Sequence, residues 1–425
     1  MSGIWIIVLF AFFIIIRLPL AFSMAIPAVI YLSIEGIPIH SLSHRMINAV
    51  NSYTLLAVPL FIFAGNLMNS SGLTDRIFKF ILLIVGNIRG GLAQVNVLAS
   101  LVFSGISGSA LADIGGIGKV LIHTMNSSGY NQRTSAGITA ASATIGPIFP
   151  PSIPLIIFAV VAQTSAVHLL IAGIIPALLL TGLLMLQIAY MAKKYKYPKN
   201  ESKTNFKELS SAFLFAIPAI MTPVILIGGL LFGFFGPTEL AAFTVLYIVV
   251  LGKFVYKKLT MTNLLDSFKE TVRSTAIIMF IISAASIFAW TLTVSQISLQ
   301  VTQLFLGITT NPILMLLITA VLLLLIGTIF ESMAAILVFT PILLPPLTAA
   351  GVDPIHFGIV MIFTLMLGLL TPPVGMSLYL VSSITNLPME EVIKGVLPYF
   401  IVLSITLLLI ILFPQLSLWL PTLFY

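Results

Sequence analysis

The sequence predicts an all-α polytopic membrane protein built from two inverted-topology repeats, each with a re-entrant hairpin and a broken helix. Three observations predict it. The 425 residues are 59% hydrophobic and 7% charged, against about 25% charged in an average soluble domain. No soluble core hides that much apolar surface. Apolar runs of bilayer-spanning length, about 20 residues, recur along the chain but are interrupted by Gly, Pro and Ser clusters. A shift of 222 residues brings this punctuation into register without a gap.

In chain order, spanning helices are expected near 3–16 and 19–34. Met1-Ser2-Gly3-Ile4-Trp5 lacks the basic start and cleavage site of a removable signal, so it opens the first helix. Next come a helix at 54–69, an amphipathic segment near 73–89, a broken region at 92–163 and a clean helix at 167–192. The loop 193–210 carries Lys193, Lys194, Lys196, Lys199, Lys203 and Lys207. Helices at 211–234 and 237–252 precede a second basic stretch with Lys253, Lys257, Lys258, Lys269 and Arg273. The rest reads as a helix at 274–293, a broken region at 311–383 and a last helix at 388–413. The corresponding divisions are N-terminal scaffold helices 1–53, repeat 1 at 54–192, a basic-loop and helix-pair insert at 193–273, and repeat 2 at 274–425.

The Lys-rich loops bracket two helices, so both lie on one side, which the positive-inside rule makes cytoplasmic. Helix 167–192 ends there. Segment 274–293 leaves from that side, whereas its counterpart 54–69 must arrive at it, so the repeats are inverted. Gly105, Gly129, Gly146, Pro150, Pro151, Gly173 and Pro176 meet Gly327, Gly351, Gly368, Pro372, Pro373, Gly395 and Pro398. Chance gives about one such match. Inverted repeats with matching breaks are a signature of secondary transporters.

The breaks carry the candidate chemistry. Ser104-Gly105-Ile106-Ser107-Gly108-Ser109 is poor helix material and reads as a hairpin tip, against a small-residue packing face as the alternative. Thr144 to Pro154 holds four prolines within residues 147–154, which must break a helix. Freed carbonyls there suit a small cation, and half-helix N-termini suit an anion. In repeat 2, Gly327-Thr328-Ile329-Phe330-Glu331-Ser332 stands at the tip position and Gly368 to Gly375 at the break. Asp113, Lys119 and Glu331 are ionisable groups in apolar surroundings, which makes each a functional candidate.

Other chemistries are weak. There is no Cys, and the five His show no ligand spacing, which leaves no basis for disulfides or thiolate metal sites. The basic charge sits in loops and orients them rather than marking a nucleic-acid partner. Gly105-Ile106-Ser107-Gly108 matches a GxSG string of intramembrane serine proteases, but that chemistry also needs a base. Asp113 to Val120 is similar to a phosphate-binding loop, yet Asp113 replaces the first Gly and Val120 the Mg²⁺-ligating Ser/Thr.

Ala57-Val58-Pro59-Leu60-Phe61-Ile62-Phe63-Ala64-Gly65-Asn66-Leu67-Met68, the stretches Ser104 to Asp113 and Gly146 to Pro154, Glu331 with Pro341, and Thr371-Pro372-Pro373-Val374-Gly375 together resemble the large membrane subunit of tripartite ATP-independent periplasmic (TRAP) transporters, the DctM-like family. The likeness covers essentially the whole chain. It implies an elevator-type ion-transporter fold in a bacterial inner membrane, importing an organic acid with Na⁺ as coupling ion and no other cofactor. It implies two partners, a small four-helix membrane subunit and a periplasmic substrate-binding protein. By position, one Na⁺ site would use Ser104, Ser107, Gly108, Ile145 and Gly146. The other would use Gly327, Thr328, Glu331, Gly368 and Thr371. Substrate, such as a C4-dicarboxylate, sialic acid or another sugar or keto acid, would sit near Ser109, Ser152 and Pro373. A stand-alone exporter of the same fold group is the alternative.

Overall fold

A computed structural model describes residues 3–199 and 206–424; the side chains of 104–107 and 206–209 fall outside the description. The described residues form helices and no strand. The chain opens with α1 (Ile4–Ile15), α2 (Leu20–Ile34) and α3 (Ile39–Val50). Repeat 1 follows as α4 (Ala57–Ser71), α5 (Leu73–Val85), α6 (Gly91–Ser107), α7 (Ala110–Asp113), α8 (Lys119–Ser127), α9 (Gln132–Ser142), α10 (Ile153–Val161), α11 (Ala166–Ala172) and α12 (Ile174–Lys194). Then come α13 (Phe206–Leu231) and α14 (Pro237–Val250). Repeat 2 is α15 (Met261–Val294), α16 (Ile297–Ile308), α17 (Pro312–Gly327), α18 (Ser332–Ala349), α19 (Pro354–Gly368), α20 (Met376–Thr385) and α21 (Met389–Leu412), with α22 (Gln415–Phe424) last. Among the described residues seven helices are long and apolar enough to cross a membrane, or eight if the bent pair α16–α17 is one span.

The 222-residue register holds in the backbone. Gly129 and Gly351, which follow α8 and α18, both have φ +88°, a left-handed stop that glycine adopts without strain. Asn131 caps α9 through Arg133 N–H at 2.9 Å, and its counterpart Asp353 caps α19 through Ile355 N–H at 2.7 Å. Both Pro-Pro peptides, Pro150-Pro151 and Pro372-Pro373, are cis. The repeats interlock, with α10 of the first against α18 of the second and α20 of the second against α7 of the first. This is the inverted-repeat fold, with two hairpins (α6 with α7–α8, α17 with α18) and two broken helices (α9–α10, α19–α20).

The broken helices are the core. Every residue of α19 from His356 to Gly368 is buried, as is every residue of α9 from Ser135 to Ser142. A helix buried on all sides is central by necessity. Lipid is as apolar as Leu, so helices here associate through close packing and side-chain hydrogen bonds. Accordingly α9 crosses α21 where Gly137 faces the Gly395 backbone with no room for a Cβ.

Four features depart from the expectation. The hairpin-1 helix stays regular through Ser107 and breaks only at Gly108 (φ +58°) and Ser109, so the tip is shorter than 104–109. The helix at 167–192 is interrupted at Gly173, whose Cα packs on the Ile148 carbonyl, giving α11 and α12. The second basic stretch is largely helical: Thr260 caps Asn263 N–H at 3.2 Å and starts α15, which carries Lys269 and Arg273. At 34 residues, α15 is about 51 Å long and outruns a hydrocarbon core of about 30 Å. Its basic first turns therefore stand outside. Finally, α3, α16, α20 and α22 form where the sequence patterns gave no separate helix.

Candidate functional site

The repeat-2 hairpin crosses its broken helix at glycine. A Cβ added to Gly368 would lie 2.5 Å from Gly327 Cα, so backbone meets backbone. Beyond the crossing, Gly375 N–H donates to the Thr328 carbonyl at 3.0 Å, tying the tip to the start of α20. Thr328 Oγ1 donates to Leu325 O and Thr371 Oγ1 to Leu367 O, both at 2.8 Å. A hydroxyl whose hydrogen is committed to a carbonyl presents only lone pairs outward, which is what a cation ligand needs. Glu331 caps α18. Its Oε2 accepts Met333 N–H at 2.9 Å and Ala334 N–H at 3.3 Å, and its Oε1 accepts Ser332 O–H at 2.9 Å. Thus Gly327, Thr328 and Gly368 are adjacent, while Glu331 and Thr371 flank them within their own breaks.

Repeat 1 is built the same way. Ser109, the positional partner of Glu331, caps α7 by accepting Ala112 N–H at 3.4 Å. Both α6 and α7 pack against residues 143–145 at the end of α9. Ile145 and Gly146 are buried there, and Ile145 O accepts Phe149 N–H at 3.0 Å. Gly108 sits against α10, where an added Cβ would meet Ile153 N at 2.7 Å. Ser104 and Ser107 have side chains outside the described residues. Among the described residues no three His, Asp or Glu side chains come together. The oxygen atoms that the described residues present at the two breaks are hydroxyls and carbonyls, together with the Glu331 carboxylate.

A cavity of about 250 Å³ opens beside the tips. Ser109, Ile153 and Met333 line it on one side, and Asn66, Glu270 and Ser274 of α4 and α15 on the other. Of the proposed substrate residues only Ser109 lines it. Ser152 is fully buried and its Oγ is bound to Pro147 O at 2.5 Å, while Pro373 is exposed elsewhere. Buried Asp113 lines the cavity and Lys119 is exposed, so the two part company.

Two polar groups escaped the sequence reading. Asn66 Nδ2 donates to Thr271 Oγ1 at 3.1 Å, joining α4 to α15. Buried Asn96 donates to Thr139 Oγ1 at 2.7 Å and accepts from Ser142 Oγ at 3.0 Å, and Ser100 Oγ donates to Ser142 Oγ at 3.0 Å. This chain fastens α6 to α9 just below the break. The signal was an amide within each apolar helix, Asn66 in α4 and Asn96 in α6, since buried polar groups require partners.

Inverted repeats whose hairpin tips meet broken helices in mid-membrane define a secondary-transporter architecture. The chain resembles in fold the crystal structure of the Alcanivorax borkumensis YdaH transporter (TM-score 0.63, 15% identity, 87% of this chain and 86% of that one). A family model described as the tripartite ATP-independent periplasmic transporter, DctM component, matches residues 7–416. This chain belongs to that family of TRAP transporter large permeases. It is 43% identical over 424 residues to the sialic acid TRAP transporter large permease protein SiaM of Vibrio cholerae, covering 99% of this chain and 97% of SiaM. It is 38% identical to the sialic acid TRAP transporter permease protein SiaT of Haemophilus influenzae, covering 99% and 67%. It is 35% identical to the C4-dicarboxylate TRAP transporter large permease protein DctM of Pseudomonas aeruginosa, covering 90% of each. These relatives are permeases, so the chain is a multi-pass membrane transporter component and not an intramembrane protease.

Proposed function

We propose that this chain imports an organic acid across a bacterial inner membrane, driven by Na⁺, in an elevator motion. The observation that carries the reading is the repeat-2 crossing. Gly327 and Gly368 bring two helix ends together, and the Thr328 and Thr371 hydroxyls keep their lone pairs free beside the breaks. Na⁺ would bind there with Glu331, and at the repeat-1 counterpart of Ser104, Ser107, Gly108, Ile145 and Gly146. The substrate carboxylate would enter the cavity at Ser109, close to the Ser152 end of α10. The N-terminal helices to residue 53 and the 193–273 insert would form scaffold against which hairpins and broken helices slide.

A sialic acid is the first substrate to test, because SiaM and SiaT carry that name at 43% and 38% identity. About a third of SiaT lies outside the match, which supports a separate small membrane subunit for this chain. A periplasmic binding protein would deliver the ligand. The test is uptake into proteoliposomes holding the chain and its small subunit, with binding protein outside and a Na⁺ gradient imposed. Uptake should require both the gradient and the binding protein. Equal uptake without Na⁺ would overturn the coupling.

A further inference from the structure

The cavity beside the tips has two chemically different walls. Ser109, Ile153 and Met333 form the tip side. On the other side α4, α5 and α15 contribute Asn66, Asn69, Thr74, Glu270 and Ser274. The hydrogen bonds already made on this second wall define what it still offers. Asn66 Nδ2 is engaged with Thr271 Oγ1 at 3.1 Å, which leaves its Oδ1 to accept. Thr74 Oγ1 donates to Asn69 Oδ1 at 3.0 Å, so Thr74 keeps lone pairs and Asn69 keeps its Nδ2 as a donor. The Ser274 hydroxyl can do either, and the Glu270 carboxylate only accepts. Acceptors outnumber donors along this wall, so it complements a ligand that brings O–H or N–H groups of its own.

The charge agrees. Among the described residues that line the cavity none is Lys, Arg or His, whereas buried Asp113 and exposed Glu270 are both acids. One ligand carboxylate has its place at the tips, beside the proposed Na⁺ ions and the Ser152 end of α10. A second ligand carboxylate on the α4–α15 side would meet Glu270 with no lining cation to offset it, and like charges facing each other across a site are costly. It would also bring no hydrogen to an acceptor-rich wall.

We propose that the α4–α15 wall selects a polyhydroxylated monocarboxylic acid, a sugar acid, over a dicarboxylate, with Asn66, Asn69, Thr74, Ser274 and Glu270 reading its hydroxyls. The proposal rests on the placement of the substrate carboxylate at Ser109. A site built to pair hydroxyls rejects an analogue that lacks them, because its own polar groups then go unpaired. Glu270 acts twice, accepting hydrogen bonds from the sugar and repelling a second carboxylate.

The test follows thermal unfolding of the full-length chain in dodecyl maltoside and NaCl while one acid is titrated: N-acetylneuraminate, succinate, or cyclohexanecarboxylate, which has a ring and a carboxylate but no hydroxyl. N-acetylneuraminate should reach half its effect at a concentration about tenfold or more below either of the others. Asn69→Ala combined with Ser274→Ala should raise that concentration about tenfold, for two lost hydrogen bonds. The same double variant should leave the cyclohexanecarboxylate value in place, which a general loosening of the fold would not do. Glu270→Gln should lower the succinate value several-fold while the N-acetylneuraminate value rises. Succinate binding as tightly as N-acetylneuraminate in wild type, equal shifts for all the acids in the double variant, or no stabilisation by any acid would overturn the proposal. Replacing NaCl by KCl tests the coupling separately. A sugar-acid preference that survives at unchanged concentrations without Na⁺ supports the wall and sinks the Na⁺ reading.

Discussion

Substituting Glu331 separates a structural role from an ionic one. The carboxylate accepts two backbone N–H groups and the Ser332 hydroxyl. A carboxylate has about four lone-pair sites, so one is left at the hairpin tip. Glu331→Gln keeps an oxygen acceptor and hence the cap, and stability should fall by less than about 1 kcal/mol. Glu331→Ala deletes the cap and orphans two N–H groups, which costs about 0.5–2 kcal/mol for the cap alone. Should the remaining lone pair ligate Na⁺, the Gln variant loses a charge-assisted contact of about 1.5–3 kcal/mol. That corresponds to a Na⁺ half-saturation raised roughly ten- to hundredfold. The assay is the Na⁺ dependence of uptake in proteoliposomes, with melting of the same preparations as a control for folding. A Gln variant that melts normally and keeps the wild-type Na⁺ half-saturation would refute the ligand role and leave Glu331 as a cap.

Gly368→Ala forces a Cβ to 2.5 Å from Gly327 Cα, an overpacking of about 1–3 kcal/mol. Uptake should collapse and melting should fall, whereas Gly228→Ala, with open space around its Cβ, should leave both within about 1 kcal/mol of wild type. Asn96→Ala removes both the donor to Thr139 and the acceptor for Ser142, costing about 1–3 kcal/mol; unchanged melting would show that the α6–α9 tie is dispensable. Asp75→Ala breaks an ion pair with Lys258 in which both side chains are more than half exposed. It should shift melting by no more than about 0.5 kcal/mol.

Sequence alone exposed the breaks well and the helices between them less well. Gly, Pro and Ser punctuation is legible because a lone proline or left-handed glycine forces local geometry. The spans at 57–71, 237–250 and 389–412 were visible because each carries an apolar run long enough to cross a bilayer. The start of α15 was not, because Lys253 to Arg273 reads as a polar loop until Thr260 is seen to cap a helix. Nor was the lining of the cavity, since Ser109 and Glu270 are 161 positions apart in the chain. Their meeting depends on how α15 packs against α4, which no local pattern specifies.

The repeats keep their backbone and change their side chains, for a physical reason. At 129 and 351 the left-handed turn favours glycine, and at 146 and 368 glycine recurs at the breaks. At the caps only an oxygen acceptor is needed, so Ser109 can answer Glu331 and Asn131 can answer Asp353. Beyond the caps the constraint lapses. Asp113 stands where repeat 2 has Ala335, and the wide turn Ile114–Gly118 stands where α18 runs on without a break. Two identical repeats would line a ligand space on their pseudo-two-fold axis symmetrically. A ligand with unlike ends, such as a sugar acid, would be oriented only by a site with unlike walls. Around the cavity the repeats are unlike, with Ser109 and Asp113 from the first and Met333 from the second, while the glycines at 105, 129, 146 and 173 keep their partners at 327, 351, 368 and 395.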